Sequence, residues 1–229
     1  MALPTLNGSP KYTLTVPSTG KKVRYRPYLV KEEKVLLMAS ESKDPQQVLD
    51  AIIDTIKACT HQLKMNDLTS FDIEYIFIKL RAKSVGEAVT LYLPCTSCEQ
   101  RTETSMNLDD VKCPVDEDRG MDIELNADVT VTMQYPSYKL KPSDTAEDAG
   151  FAMITQCIKS VTVADEVVTM ADETDEEIKR FLESMTREQF DSISAWIRDL
   201  PQVEHTLKFV CEHCSEKNEI EVKGLQNFF

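Results

Sequence analysis

Val89-Thr-Leu-Tyr-Leu-Pro-Cys-Thr-Ser-Cys98, followed by Thr102-Glu-Thr-Ser-Met-Asn-Leu108, decides how this chain is read. A strand-like run reaches a Cys-x-x-Cys turn and a second strand-like run leads away from it. The same plan recurs near the end, where His205-Thr-Leu-Lys-Phe-Val-Cys-Glu-His-Cys214 precedes Asn218-Glu-Ile-Glu-Val222. Two residues between cysteines let both sulfurs of a tight turn converge on one ion. Two such turns brought together supply four thiolates in the tetrahedral arrangement of a closed structural zinc site. The expected ligands are Cys95, Cys98, Cys211 and Cys214, and the expected task of the metal is to hold the fold.

Ordinary zinc ribbons place about 15–20 residues between their pairs, and the gap here is far longer. One shared site would therefore join distant parts of the chain. A thioredoxin-like redox pair normally opens a helix in a βαβ unit, and the strand character on both sides of each pair argues against it. Disulfides within each pair would suit an oxidising compartment. The opening Met1-Ala-Leu-Pro4 lacks a charged n-region and an apolar h-region, so no secretory signal is expected. Unliganded, reduced cysteines are the remaining alternative.

Cys113 precedes Pro114 and has no second cysteine at ligand spacing. Cys59 and Cys157 fall in apolar, helical-looking segments and read as small core residues. His213, inside the second pair, reads as a solvent-facing turn residue beside better donors.

With 229 residues, 41% hydrophobic and 28% charged, the chain has the composition of a globular protein with ample core. No apolar run approaches the roughly 18–20 residues of a membrane span. A net charge of −13 and a pI near 4.7 would repel a phosphate backbone, so nucleic acid is not an expected partner. The acidic clusters Asp116-Glu-Asp118, Asp172-Glu173 and Asp175-Glu-Glu177 read as a solvated face or as a docking surface for a basic partner.

Along the chain, Tyr12, Leu14 and Val16 alternate, Pro17-Ser-Thr-Gly20 turns, and Val23, Tyr25 and Pro27 return, predicting a hairpin. Ser18-Thr-Gly-Lys21 is not a phosphate loop, because Thr15 stands where glycine is needed and Lys22 where Ser or Thr is needed. Helices are expected over 31–38, 45–60 and 70–83, with Asp44 as N-cap and Pro45 in the first helical position. Strands follow at 121–125 and 129–133. Asp116-x-Asp118-x-Gly120 fails as a calcium loop, since Ala127 occupies the twelfth position. A helix is expected from about Thr145, a β excursion around Ala164-Asp-Glu166, and two helices opened by the capping boxes Thr174-x-x-Glu177 and Thr186-x-x-Gln189. Pro201 ends the second.

The expected fold is therefore α+β in two halves. Residues 1–112 hold the N-terminal hairpin, helices and first zinc knuckle, and 113–229 hold strands, helices and the second knuckle. The knuckles would pair in one zinc-ribbon-like site and make a single cooperative unit.

Ala2-Leu-Pro-Thr-Leu-Asn7, Pro10-Lys-Tyr-Thr-Leu14, Pro17-Ser-Thr-Gly-Lys21, Arg26-Pro-Tyr-Leu-Val-Lys-Glu-Glu-Lys-Val-Leu-Leu-Met-Ala39 with Glu41-Ser42, His205-Thr-Leu-Lys-Phe209 and Gly224-Leu-Gln-Asn-Phe-Phe229 are distinctive together. They resemble the baseplate hub-assembly protein family of T-even-type tailed bacteriophages over nearly the whole chain. The resemblance implies a late viral protein of the bacterial cytoplasm, a minor hub component or a chaperone-like assembly factor, with other baseplate or hub proteins as partners. It implies no catalytic residue.

The residues agree, since the histidines are only His61, His205 and His213 and no Ser–His–Asp set or paired carboxylates stand out. No small-molecule substrate is expected. Two other classes compete: a zinc-ribbon regulator of nucleic acid or transcription machinery, acting through Lys21, Lys22, Arg24 and Arg26, and a redox or metal-dependent enzyme. For the assembly reading, the candidate contacts are the acidic segments and Phe228-Phe229, whose rings either fold back on the last hairpin or meet a partner.

Overall fold

The computed structural model describes residues 10–139, 146–164 and 166–228. The stretch Ala2–Asn7, the expected helix start at Thr145, Asp165 and Phe229 lie outside them. The fold is mixed α+β, and its contacts divide into two compact units. Unit 1 is Met1–Val115 with Gln202–Phe229, and unit 2 is Asp116–Pro201. These bounds do not follow the expected halves at 112/113, because the second cysteine turn belongs to unit 1 with the first.

In unit 1, β1 (Tyr12–Thr15) and β2 (Lys22–Tyr25) pair antiparallel, with Leu14 opposite Val23 on the buried side. Three helices follow: α1 (Val30–Ser42), α2 (Pro45–Cys59) and α3 (Ser70–Ser84). Asp44 caps α2 as expected, its carboxylate accepting the Gln46 N–H at 2.9 Å, with Pro45 next in line where a missing N–H costs nothing. α2 buries Ile52, Ile53 and Ile56 on one face. α3 is opened by a capping box in which Thr69 and Asp72 exchange bonds. Asp72, fully buried, also accepts the Ser18 N–H at 2.9 Å and the Ser18 hydroxyl at 2.6 Å. The Pro17–Gly20 turn is therefore fastened to α3.

The cysteine-bearing runs form two antiparallel pairs: β3 (Ala88–Pro94) with β4 (Arg101–Asn107), and, as the chain re-enters unit 1, β9 (Glu204–Val210) with β10 (Lys217–Lys223). Alternation sends Val89, Leu91, Met106, Leu207 and Val222 inward, onto one core with Ile78 and Ala82 of α3. Phe228 joins that core with no exposed surface, so of the two readings of the terminal aromatics this ring folds back. Lys79 of α3 is buried too. Its ammonium donates to the carbonyls of Leu108 (3.1 Å), Asp109 (2.7 Å) and Val111 (2.9 Å), tying α3 to the chain leaving β4.

Unit 2 holds a four-stranded antiparallel sheet in sequence order: β5 (Asp122–Glu124), β6 (Val129–Met133), β7 (Ile158–Val163) and β8 (Glu166–Thr169). Helix α4 (Ala146–Cys157) leads into β7, and α5 (Asp175–Glu183) and α6 (Arg187–Arg198) start at the two expected capping boxes. Val131, Ile158, Ile178, Leu182, Ile193 and Trp196 meet in its own core. The Trp196 ring N–H donates to the Gly120 carbonyl at 2.9 Å, and the Arg119 guanidinium lies 4.1 Å from the ring centre. No helix among the described residues is long and apolar enough to cross a membrane.

Candidate metal centre

The two cysteine turns are built alike. Cys95 N–H donates to Gln100 at 2.9 Å and Glu99 N–H to the Cys95 carbonyl at 3.0 Å; Cys211 N–H donates to Glu216 at 2.8 Å and Ser215 N–H to the Cys211 carbonyl at 3.0 Å. The residue after each pair, Glu99 or Ser215, takes a left-handed backbone (φ 60° and 61°) to close the turn. Both strand pairs lie on one core, so the turns at their tips arrive together.

All four sulfurs of Cys95, Cys98, Cys211 and Cys214 lie within 4.8 Å of one another, and among the described residues no other set of His, Cys, Asp or Glu converges this way. Cys95 stands 3.6 Å from Cys214, and Cys98 3.6 Å from Cys211. A sulfur–sulfur bond is about 2.0 Å, so these are free thiols. Thiolates around one zinc at about 2.3 Å would stand about 3.8 Å apart, close to what is seen. The donor set fits a soft, tetrahedral metal.

Two residues missed by sequence reasoning complete the site. Thr102 on β4 sends its hydroxyl toward Cys211 Sγ (3.6 Å) and accepts the Glu212 N–H (3.4 Å). Asn218 on β10 does the converse: its amide oxygen accepts the Thr96 N–H (2.8 Å) and hydroxyl (2.9 Å), and its NH2 donates to Cys95 Sγ (3.5 Å). Each strand pair thus braces the other's turn. The available signal was a shared offset, four places after the second cysteine, with a polar residue at an inward strand position.

These donors act on the thiols. The N–H groups of Cys98 and Ser97, with help from Asn218, pull Cys95 below its ordinary value. Burial works against ionisation of Cys211, yet the N–H groups of Cys214 and His213 and the Thr102 hydroxyl outweigh it and bring it to about 6. Cys98 and Cys214 move the other way. An N–H from Gln100 or Glu216 favours each thiolate, but burial and the adjacent sulfurs prevail, and Cys214 is pushed up to about 12. Crowded like charges resist full ionisation of the cluster, and a dication among the sulfurs would relieve that repulsion and favour the thiolate form of each.

The other candidates separate cleanly. Cys59 and Cys157 are buried, and burial raises each to about 11; Cys113, pushed up to about 12 by burial, packs beside the unit 1 core away from the four sulfurs. His213 is exposed and touches the cluster only through its backbone N–H. The acidic residues 116–118 are exposed, and Asp175, Glu176 and Glu177 fill the first turn of α5, where the helix dipole favours them. Of the basic cluster, Lys21, Lys22 and Arg24 line an open cleft of about 680 Å³ with Lys11 and Lys64, whereas Arg26 is held by Glu32 at 2.9 Å.

No curated protein and no solved structure shows significant similarity to the chain. A family model does match, over residues 9–229, which include both cysteine turns and the strands that carry them, and the chain belongs to that family, the T4 bacteriophage base plate proteins.

Proposed function

We propose that this chain is a non-enzymatic structural or chaperone-like protein for assembly of a contractile-tail phage baseplate hub, stabilised by one structural zinc on Cys95, Cys98, Cys211 and Cys214. Family membership supports the baseplate setting, and the convergence of four sulfurs at the tips of two strand pairs carries the zinc reading. A filled thiolate shell leaves no open coordination position for a substrate or water, which favours a structural over a catalytic ion. The paired turns then form a zinc-ribbon-like site, and the ion ties Gln202–Phe229 to the rest of unit 1 as one cooperative body. Its partners are other baseplate or hub proteins, met in the host cytoplasm where tails assemble and kept in the baseplate of the virion tail.

Metal analysis of purified protein tests the site. One zinc per chain, lost when either cysteine pair is changed to serine, is expected; two zincs, or one that survives loss of a pair, would sink it. Co-expression with hub proteins and size-exclusion chromatography test the partner, and failure to co-elute with any tail protein would count against the assembly role. The cleft around Lys22 and Arg24 favours a second reading, a zinc-ribbon regulator on nucleic acid. Duplex DNA binding that persists at about 150 mM salt would select it.

A further inference from the structure

Helix α1 is buried on one face and carries exposed apolar side chains on the opposite one. Its inner face buries Glu32 and Ala39 against the neighbouring structure, with α2 alongside. Its outer face carries Val30, Lys34, Leu37, Met38 and Glu41 at helical spacing, and Val30, Leu37 and Met38 are 65%, 57% and 71% exposed. An amphipathic surface helix keeps this side polar. Three large apolar side chains in one stripe mark an interface.

Charge indicates what covers it. Within the stripe, Lys34 lies toward the start and Glu41 toward the end, and among the described residues neither makes an ion pair. In an antiparallel helix pair centred between Leu37 and Met38, Lys34 faces Glu41 of the second copy. Two-fold symmetry makes that pair twice. A parallel pairing would set Lys34 on Lys34 and Glu41 on Glu41. Nearly all of the net charge of −13 resides in Asp116–Pro201, so unit 1, which carries α1, is close to balanced and two copies can approach there without strong repulsion.

We propose that the outer face of α1 is a self-complementary docking surface through which two copies of this chain pair, antiparallel, about a two-fold axis between Leu37 and Met38. The contact is small, so the dimer dissociates with a constant on the order of tens of µM. Sedimentation of the full zinc-loaded chain from about 1 to about 500 µM, bracketing that constant, reads it directly. A reversible monomer–dimer equilibrium is expected. Lys34→Glu and Glu41→Lys should each weaken it at least about tenfold, since each reversal places like charges together twice. The combined Lys34→Glu/Glu41→Lys chain should recover to within about threefold of the original, because the swap restores every pair. All these side chains are exposed, so thermal melts should be unchanged. A chain monomeric throughout, a dimer indifferent to the reversals and to Met38→Lys, or a double variant no tighter than the singles would each overturn the proposal. So would α1 amides that gain exchange protection only when a hub protein is added.

Discussion

Thr102 and Asn218 touch sulfur from outside the ligand set, and their effect belongs to the single residue. Asn218→Ala removes a donor to Cys95 and strands the N–H and hydroxyl of Thr96, while every cysteine stays in place. Zinc affinity is expected to fall about 10–100-fold, as when outer-shell partners are lost elsewhere, with Thr102→Val acting the same way on Cys211. Competition with a chromophoric chelator measures it, and affinity unchanged in both variants would deny them that role. Lys79 is a second residue whose worth is out of proportion to its appearance. Lys79→Met leaves three carbonyls without their donor and should cost about 2–4 kcal/mol by urea unfolding. The four cysteines were legible because their spacing states their chemistry. Lys79 was not, since a lysine within a helical pattern reads as solvent-facing until the carbonyls of Leu108, Asp109 and Val111 are folded against it.

At the scale of elements, the local signals that were legible are those closed within one turn of chain. Thr186 and Gln189 hold each other across the start of α6, with the Thr186 N–H donating at 2.9 Å and the Gln189 N–H at 3.3 Å, and four residues of sequence suffice to foresee it. Asp72 looks like the same device in α3 yet also serves Ser18, a link made only by the tertiary fold. The two should differ on substitution: Thr186→Ala costs about 1 kcal/mol, and Asp72→Ala about 3 kcal/mol, because the latter also frees the β1–β2 turn. Equal losses in thermal or urea unfolding would show that the turn is held by something else. The entry to α1 adds a pH dependence. Burial raises the Glu32 carboxyl, but Arg26 and the Leu29 N–H outweigh it and leave it below its ordinary 4.5. A carboxyl lowered in the folded state contributes its full stability above pH 4.5 and loses it as pH falls toward the folded value. Glu32→Gln should therefore lower stability at neutral pH and narrow the gap to the parent chain below pH 4.5.

For the whole molecule, the chain's path was the part least available to sequence. The repeating plan of strands, helices and cysteine turn groups the second turn with the half 113–229, and only the cysteine spacing, through the expected shared site, draws its tip to the first turn. The structure instead returns Gln202–Phe229 to unit 1, because Val203, Leu207, Val222 and Phe228 find the apolar partners of β3, β4 and α3 there, while unit 2 fills its core from its own helices and sheet. The closing segment is thus held by one buried face and, at its tip, by whatever binds the sulfurs. Structural zinc in small thiolate sites supplies apparent binding free energies of about 10–16 kcal/mol, more than a pair of short strands gains from such a face alone. Removing the metal with a strong chelator under reducing conditions should then abolish amide exchange protection in β9–β10 and weaken it in β3–β4, with Phe228 leaving the core. The sheet β5–β8 and helices α5 and α6 should keep theirs, since none of their cores includes a residue of the cysteine strands. Cys214→Ser should reproduce the pattern without chelator. Protection in β9–β10 that survives both treatments would mean that packing alone holds the segment and that the four sulfurs meet without a structural ion.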